Sequence, residues 1–446
     1  MKKTFNYIFP FIDFVYILQL EEYSYSQYFY WIKSRLLKRG FQKVGKIKWT
    51  FRAKATLVIS ILLFILSIFL VFYLDPYTIN RIILILILIF LIPFFVLDAS
   101  ILFIPIDFIY RQYLSYFARK KLSKMQCKVV AIAGSYGKST TRHFANAILS
   151  KKFKVRTPKK NYNTLFSVPK DIIKNLDKDT QIYLVELGES YKGDFEKFVK
   201  LLKPDMVVIT AIGPQHLSTF GSQEVIDREF LSLLNLTSDK PQFMNISNEG
   251  VNRIIKRYKA DFGHLYNIDI KLKIKQEWQK SETLLQNISG ALAISRELGM
   301  NDTDIEKALE GASLPERRMK EEMHGEIKVI DDTYNINPDS AKAALEYLDS
   351  HKGRKIIVTG GIVDQGENEK NANIALGEQI AEVADIVIIA KNILFDYVKT
   401  GVLRKNTKTQ ILESDLPSET PDILGKVLKQ GDTVLIQNEL QDNYWS

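Results

Sequence analysis

Two patterns of apolar residues divide this chain. Thr56 to Leu74 is a stretch of 19 residues without a charge, and Ile82 to Leu97 adds 16 more before Asp98, continuing through Ile101–Ile106. A helix crosses a bilayer core with about 20 apolar residues, so these runs predict a transmembrane helical hairpin, with spans at about 56–74 and 82–104 joined by residues 75–81. Phe5–Leu20 is also apolar and aromatic, but Pro10 and Asp13 interrupt it, which predicts a segment that is interfacial or packs on the hairpin. Beyond residue 126 the pattern changes to short apolar runs alternating with amphipathic stretches. Strands are predicted at Val129–Ala133, Ile182–Glu186, Met206–Thr210, Lys328–Ile330, Ile356–Thr359, Ile386–Ala390 and Thr433–Ile436. Helices are predicted at Thr140–Leu149, Asp194–Leu202, Leu284–Leu298, Ser340–Leu348 and Asn373–Val383. Such alternation is that of a doubly wound α/β sheet. A break at Leu314-Pro315-Glu316-Arg317 gives an expected division into a membrane region, 1–125, a central domain, 126–314, and a C-terminal domain, 315–446.

Charge sharpens this division. The formal net charge is +10, yet residues 1–125 hold 17 Lys/Arg against 6 Asp/Glu while the rest holds 44 against 45. The basic excess therefore flanks the apolar runs and forms no nucleic-acid-binding face on the body. Nine cations between Lys33 and Lys54 precede the hairpin and Arg111, Arg119, Lys120, Lys121 and Lys124 follow it, with only Arg81 in the turn. By the positive-inside rule both ends lie in the cytoplasm, which predicts a multi-pass protein of the cell membrane whose body is cytoplasmic. The single cysteine, Cys127, excludes an intramolecular disulfide and agrees with a reducing compartment.

The first predicted strand of the body runs into Gly134-Ser135-Tyr136-Gly137-Lys138-Ser139-Thr140 and then a helix. This is the pattern of a nucleotide-phosphate cradle. Gly134 and Gly137 allow the tight curl that turns backbone N–H groups inward, the helix presents its positive end, Lys138 adds a point charge, and the Ser139 hydroxyl can ligate Mg²⁺. Position 132, where a phosphate loop has its first glycine, is Ile. ATP and Mg²⁺ are the expected cofactors.

Further segments follow in order: Asn161-Tyr-Asn163 through Pro169, Val185-Glu186-Leu-Gly188 with Gly193-Asp194, Ile209 through Gly213-Pro-Gln-His216 with Phe220-Gly-Ser222, and Asp331-Asp332-Thr-Tyr334-Asn335-Ile-Asn337-Pro338. Their joint order and spacing resemble the Mur ligases, over about residues 128–440. Within that family the resemblance is to the branch that joins D-alanyl-D-alanine to UDP-N-acetylmuramoyl-tripeptide. It implies a central P-loop nucleotide-binding domain and a Rossmann-like C-terminal domain. The implied reaction is ATP-dependent amide-bond formation through an acyl phosphate, in peptidoglycan precursor synthesis. Its substrates would be a muropeptide acceptor, UDP-linked or lipid-linked, and an amino acid or dipeptide amine.

The same resemblance distributes roles. Residues 134–140 meet the ATP phosphates, with Lys138 neutralising charge. Ser139, Glu186 and His216 form the metal set, and Asn161 and Asn163 lie towards the acceptor. Asn287 sits by the base, and Arg317, Asp332, Tyr334, Asn335 and Asn337 reach ribose and adenine as the C-terminal domain closes. Two features depart from the family. Its carbamylated, metal-binding lysine is replaced by Phe230, with no lysine between Ser222 and Ser238, and Glu229, one position earlier, is the candidate catalytic residue that could supply that carboxylate directly. Its UDP-sugar-gripping domain gives way to the apolar runs. A poly-γ-glutamate or folylpolyglutamate-type ligase and a non-catalytic nucleotide-binding membrane scaffold remain open alternatives.

Overall fold

The computed structural model describes every residue except 1–2, 5–9, 22, 36–41, 44–46, 75–76, 160–161, 259–262, 269–270, 276–277, 316, 334–335, 364, 406–407, 416–418 and 438–446. Contacts divide it into two units, in the main residues 1–110 and 111–439.

The first unit is helical, with α1 (Phe11–Leu20), α2 (Tyr25–Arg35), α3 (Phe51–Leu74), α4 (Thr78–Phe90) and α5 (Ile92–Ile101), and it runs into α6 (Ile104–Leu122). Of the two expectations for Phe5–Leu20, packing on the hairpin is the one seen: Phe11 meets Phe64 of α3 edge-on at 5.5 Å, and Val15, Ile17 and Leu18 are fully buried. Residues 5–9 of that segment lie outside the described residues. At the turn from α3 to α4, Arg81 donates to the Phe72 carbonyl at 3.1 Å. The outward faces, including Val58, Leu62, Ile65, Phe69, Ile82 and Leu86, are exposed apolar surface of the kind a lipid covers.

The second predicted span, 82–104, is not one helix. α4 closes at Phe90, and α5 restarts with Leu91 as its N-cap and a proline, Pro93, in its first turn. Proline has no N–H to continue the ladder and its ring meets the carbonyl four residues back, so Pro93 fits only where a helix begins. Among the described residues, the helical runs long and apolar enough to cross a membrane are therefore Phe51–Leu74 and Ile92–Leu122. The 13 residues of α4 fall short of that length.

The second unit holds two six-stranded sheets. In the first, β1 (Lys128–Ala133), β2 (Val155–Arg156), β3 (Ile182–Glu186), β4 (Met206–Ile209), β5 (Gln242–Asn245) and β6 (His264–Tyr266) are parallel throughout, in the order β2-β3-β1-β4-β5-β6. Side chains alternate between the faces of β1. Val129, Ala131 and Ala133 join a core with Phe195, Phe198 and Phe230, while Val130 and Ile132 join another with Phe144, Ile148 and Ile288. A strand covered on both faces reads as an unbroken apolar run, which is why β1, β3 and β4 are legible in the sequence. The helices that cover the sheet are α7 (Lys138–Leu149), α8 (Ser167–Asn175), α9 (Asp194–Leu202), α10 (Leu217–Phe220), α11 (Gln223–Leu236), α12 (Glu249–Tyr258), α13 (Glu282–Glu297) and α14 (Asp302–Glu310).

The second sheet comprises β7 (Lys320–His324), β8 (Ile327–Asp332), β9 (Lys355–Thr359), β10 (Ile386–Ala390), β11 (Gln410–Ser414) and β12 (Thr433–Gln437), ordered β11-β10-β9-β12-β8-β7. All pairs are parallel except the β7–β8 hairpin. Helices α15 (Pro338–Asp349), α16 (Glu369–Val383), α17 (Phe395–Arg404) and α18 (Thr420–Val427) complete it. In the first sheet β3 and β4 lie on opposite sides of β1, so their connections leave in opposite directions. The crevice at the carboxyl end of β1 is thus a topological switch point, where open α/β sheets bind ligands.

Candidate active site

The loop that leaves β1 into that crevice has the curl its glycines predict. Gly134 and Gly137 take φ of +150° and +85°, and a Cβ would come within 2.1 Å of Thr210 Oγ1 at the first and 2.2 Å of Asn287 Oδ1 at the second. Only glycine fits either place. Ser135 does not face the crevice. Its hydroxyl is buried, bonded to the Gly213 carbonyl and accepting from the Gly213 N–H at 3.0 Å each, and so pins the loop to residues 211–213. Thr140 is likewise buried in the first turn of α7.

Lys138 opens α7 and turns its ammonium back onto the Gly134 carbonyl. Its second partner is Glu189, 3.2 Å away and only 4% exposed. Sequence reading passed over Glu189. Its only local signal is a position three residues beyond Glu186, past the end of β3, where the fold rather than a motif aims it. Burial pushes its carboxyl up, opposed chiefly by the Lys138 charge. Glu186, also buried, accepts from the Ser139 hydroxyl at 2.9 Å through one oxygen and from Arg142 Nε at 2.5 Å through the other. Arg142, a second residue missed in the sequence, also bonds Thr157 and the Pro158 carbonyl.

Ser139 and Glu186 thus bring two hard oxygen donors together at the amino end of α7, which suits Mg²⁺ with phosphate and water completing its shell. His216 lies in the left-handed region at φ +53° and occupies the N-cap position of α10 without a side-chain capping bond. Thr219 of that helix donates to the Ser190 carbonyl at 2.5 Å, which ties the His216 turn to the Glu189 segment. Among the described residues, no group of three or more His, Cys, Asp or Glu could hold a metal by itself.

Several other expected site residues have partners within the fold. Glu229 is buried and occupied: its two oxygens accept from the backbone N–H groups of Gly193 and Phe195, at 2.9 and 3.0 Å, so it caps α9 from a neighbouring helix. Phe230 fills the core against Phe195, ring centroids 5.1 Å apart. Asn337 spends its side chain on a capping box with Ser340 at the start of α15. Asn287 meets the phosphate loop itself at Gly137. Asn163 accepts from the Gly188 N–H at 2.8 Å, which draws its segment to the end of β3. Arg317 is bonded to the Thr333 hydroxyl at 2.8 Å. Asn161, Tyr334 and Asn335 lie outside the described residues.

Among the described residues, α15 of the C-terminal domain meets the loop through a polar chain. Tyr136 donates to Asp339, at the start of α15, at 2.7 Å and accepts from Asn248 at 2.9 Å. Near the end of β8, Asp332 is buried and its pKa is pushed up from 3.8 to about 6, mainly by burial, with Arg318 opposing. A carboxyl raised in the folded state holds its proton more tightly there than in the unfolded chain. The stabilisation is complete below about pH 4 and is lost as pH rises through 6, on the order of 2–3 kcal/mol in all. Asp332→Asn is therefore expected to flatten the dependence of melting temperature on pH between 4 and 7, a change that thermal melts of the two proteins will measure.

Residues 132–296 match the Mur ligase middle domain, and residues 317–437 match the Mur ligase, glutamate ligase domain; together they take in well over half of the chain.

The chain belongs to the Mur ligase family.

Among its relatives is the UDP-N-acetylmuramoyl-tripeptide–D-alanyl-D-alanine ligase of Bacillus subtilis, 24% identical over 73% of this chain and 76% of that one. The enzyme of the same name from Rickettsia prowazekii is 27% identical over 56% of this chain and 62% of its own. In fold, this Mur ligase is similar to the MurF ligase of Thermotoga maritima in complex with ADP, with TM-score 0.63, 22% identity, and coverage of 74% of this chain and 80% of that one. The FolC protein of Escherichia coli with ADP aligns at TM-score 0.53 and 16% identity, over 73% of this chain and 90% of that one.

Proposed function

We propose that this Mur ligase is an ATP-dependent amide ligase that joins D-alanyl-D-alanine, or a similar amine, to the carboxylate of a muramoyl peptide. The observation that carries this reading is the glycine loop of 134–140 with the half-buried Lys138 ammonium turned back onto it and the Ser139–Glu186 oxygen pair at the amino end of α7. The carboxylate attacks the γ-phosphorus of ATP and ADP departs, leaving an acyl phosphate. The amine then attacks the acyl carbon, inorganic phosphate leaves, and the amine proton passes to solvent or a nearby base. Here the protein positions and neutralises, and it needs no side-chain nucleophile. Lys138 and the α7 amino terminus would hold the phosphates, Ser139, Glu186 and His216 would hold Mg²⁺, and Asn161 and Asn163 would serve the acceptor. Mg²⁺, when bound, spreads the charge that develops on the transferring phosphoryl group.

The C-terminal residues Arg317, Asp332, Tyr334 and Asn335 complete the nucleotide site in this reading, and the division into 1–125, 126–314 and 315–446 is kept. Phe51–Leu74 and Ile92–Leu122 anchor the chain in the membrane with the catalytic body on the cytoplasmic side, where the acceptor is UDP-linked or lipid-linked. The test is phosphate release by the full chain in lipid vesicles. UDP-muramoyl-tripeptide, its lipid-linked counterpart and a folylglutamate are each offered with D-alanyl-D-alanine or glutamate. Release that requires a muramoyl acceptor together with the dipeptide is the expected result. Release with the folylglutamate and glutamate alone, or with no acceptor, overturns it.

A further inference from the structure

We propose that Glu189 is a positioning residue of the phosphate centre: it orients the Lys138 ammonium towards the nucleotide and makes nucleotide binding depend on a bound cation. The inference rests on the nucleotide-cradle reading of residues 134–140 and deepens it.

A lysine ammonium has three N–H bonds to give. At Lys138, one goes to the Gly134 carbonyl and one to the Glu189 carboxylate, at 3.2 Å to the nearer oxygen. The third is left for a ligand, so the charge that meets the phosphates is held by two fixed acceptors and does not swing on its four-carbon stem. Around it the backbone is closely packed. A Cβ on Gly188 would lie 2.7 Å from Asn163, so the peptide that carries Glu189 has little room to shift. Neither Glu186 nor Glu229 is available for this task, since one is shared by Ser139 and Arg142 and the other caps α9.

The second half of the proposal follows from charge. Glu189 is nearly removed from water, and a nucleotide brings several negative charges to the lysine that offsets it. In a water-poor site like charges repel far more than in bulk solvent. Binding is therefore favourable only when positive charge enters with the phosphates, and the Ser139–Glu186 oxygen pair is the donor set that would hold it. A carboxylate placed only to stabilise the fold would leave no such signature.

ADP is the probe, titrated into the purified full chain by calorimetry with and without Mg²⁺. Glu189→Gln keeps an acceptor for Lys138 and removes the charge. Without Mg²⁺ this variant is expected to bind ADP about tenfold more tightly than the parent, while with saturating Mg²⁺ the two converge, so the enhancement by Mg²⁺ shrinks about tenfold. Glu189→Asp, which restores the charge, is expected to restore most of that enhancement. In phosphate release Glu189→Gln should lower kcat with KM for ATP little changed. An equal Mg²⁺ enhancement in parent and Glu189→Gln overturns the proposal, even if both variants melt at lower temperature. A parent chain that binds no ADP under either condition overturns the cradle reading and this proposal with it, and so is told apart from a failure at Glu189 alone.

Discussion

Removing the Lys138 ammonium is expected to lower ATP-dependent phosphate release by about a thousandfold, the scale seen when one preorganised donor is taken from a developing oxyanion. The structure determines how this must be measured. Lys138 is not simply an exposed charge waiting for phosphate, because its buried partner Glu189 would be left uncompensated in Lys138→Ala. Breaking a buried ion pair by deleting one member costs about 3–5 kcal/mol, enough to confuse a loss of folding with a loss of chemistry. The clean comparison is therefore Lys138→Ala/Glu189→Gln against Glu189→Gln, with thermal melts alongside phosphate release. The double variant should melt close to the single one and turn over about a thousandfold more slowly. Equal turnover would take Lys138 out of the phosphate site.

Glu229→Ala is expected to act on stability and not on chemistry. The substitution leaves the N–H groups of Gly193 and Phe195 without their carboxylate acceptor at the amino end of α9, where the helix dipole also favours negative charge. Hydrogen bonds to a charged group contribute about 1.5–3 kcal/mol each, so a loss of about 3 kcal/mol or more is expected. In a unit of about 330 residues that lowers the melting temperature by roughly 4–5 °C. Turnover per folded molecule and its Mg²⁺ titration should match the parent. A shifted Mg²⁺ titration in a well-folded Glu229→Ala variant would instead make Glu229 the metal ligand that its position beside Phe230 suggested in the sequence.

The two carboxylates show where sequence reading stops. Glu229 looked like a site residue because it adjoins the position of the missing lysine, and Glu189 went unremarked because no motif contains it. Both readings followed the order of residues along the chain. In the fold, the first turn of α9 passes over the Glu229 side chain, and the end of β3 brings Glu189 against a loop some fifty residues earlier in the chain. Asn337 is a third instance: the segment resembled a nucleotide contact, yet asparagine before Ser-containing helical turns is also a good cap, and the capping box is what formed.

Sequence by itself determined the elements that carry a strong one-dimensional signal. The glycine turn of 134–140 was legible because its residues act through backbone geometry within seven positions, between an apolar strand and an amphipathic helix. The buried parallel strands β1, β3, β9, β10 and β12 were legible because cover on both faces demands unbroken apolar runs. Strands β5, β6, β7 and β11 were not, since Gln242, Asn245, His264, Lys320 and Gln410 place polar residues in them and only pairing with a neighbour makes them strands. Uncharged length announced the apolar hairpin, but where its second half bends was settled by Pro93 at the start of α5. What the tertiary structure alone decided was which carboxylate meets which donor. Lys138 with Glu189, Arg142 with Glu186 and Tyr136 with Asp339 join residues 44 to 203 positions apart. No local pattern encodes such pairs, because their energy comes from burial and close approach that exist only once both sheets have formed.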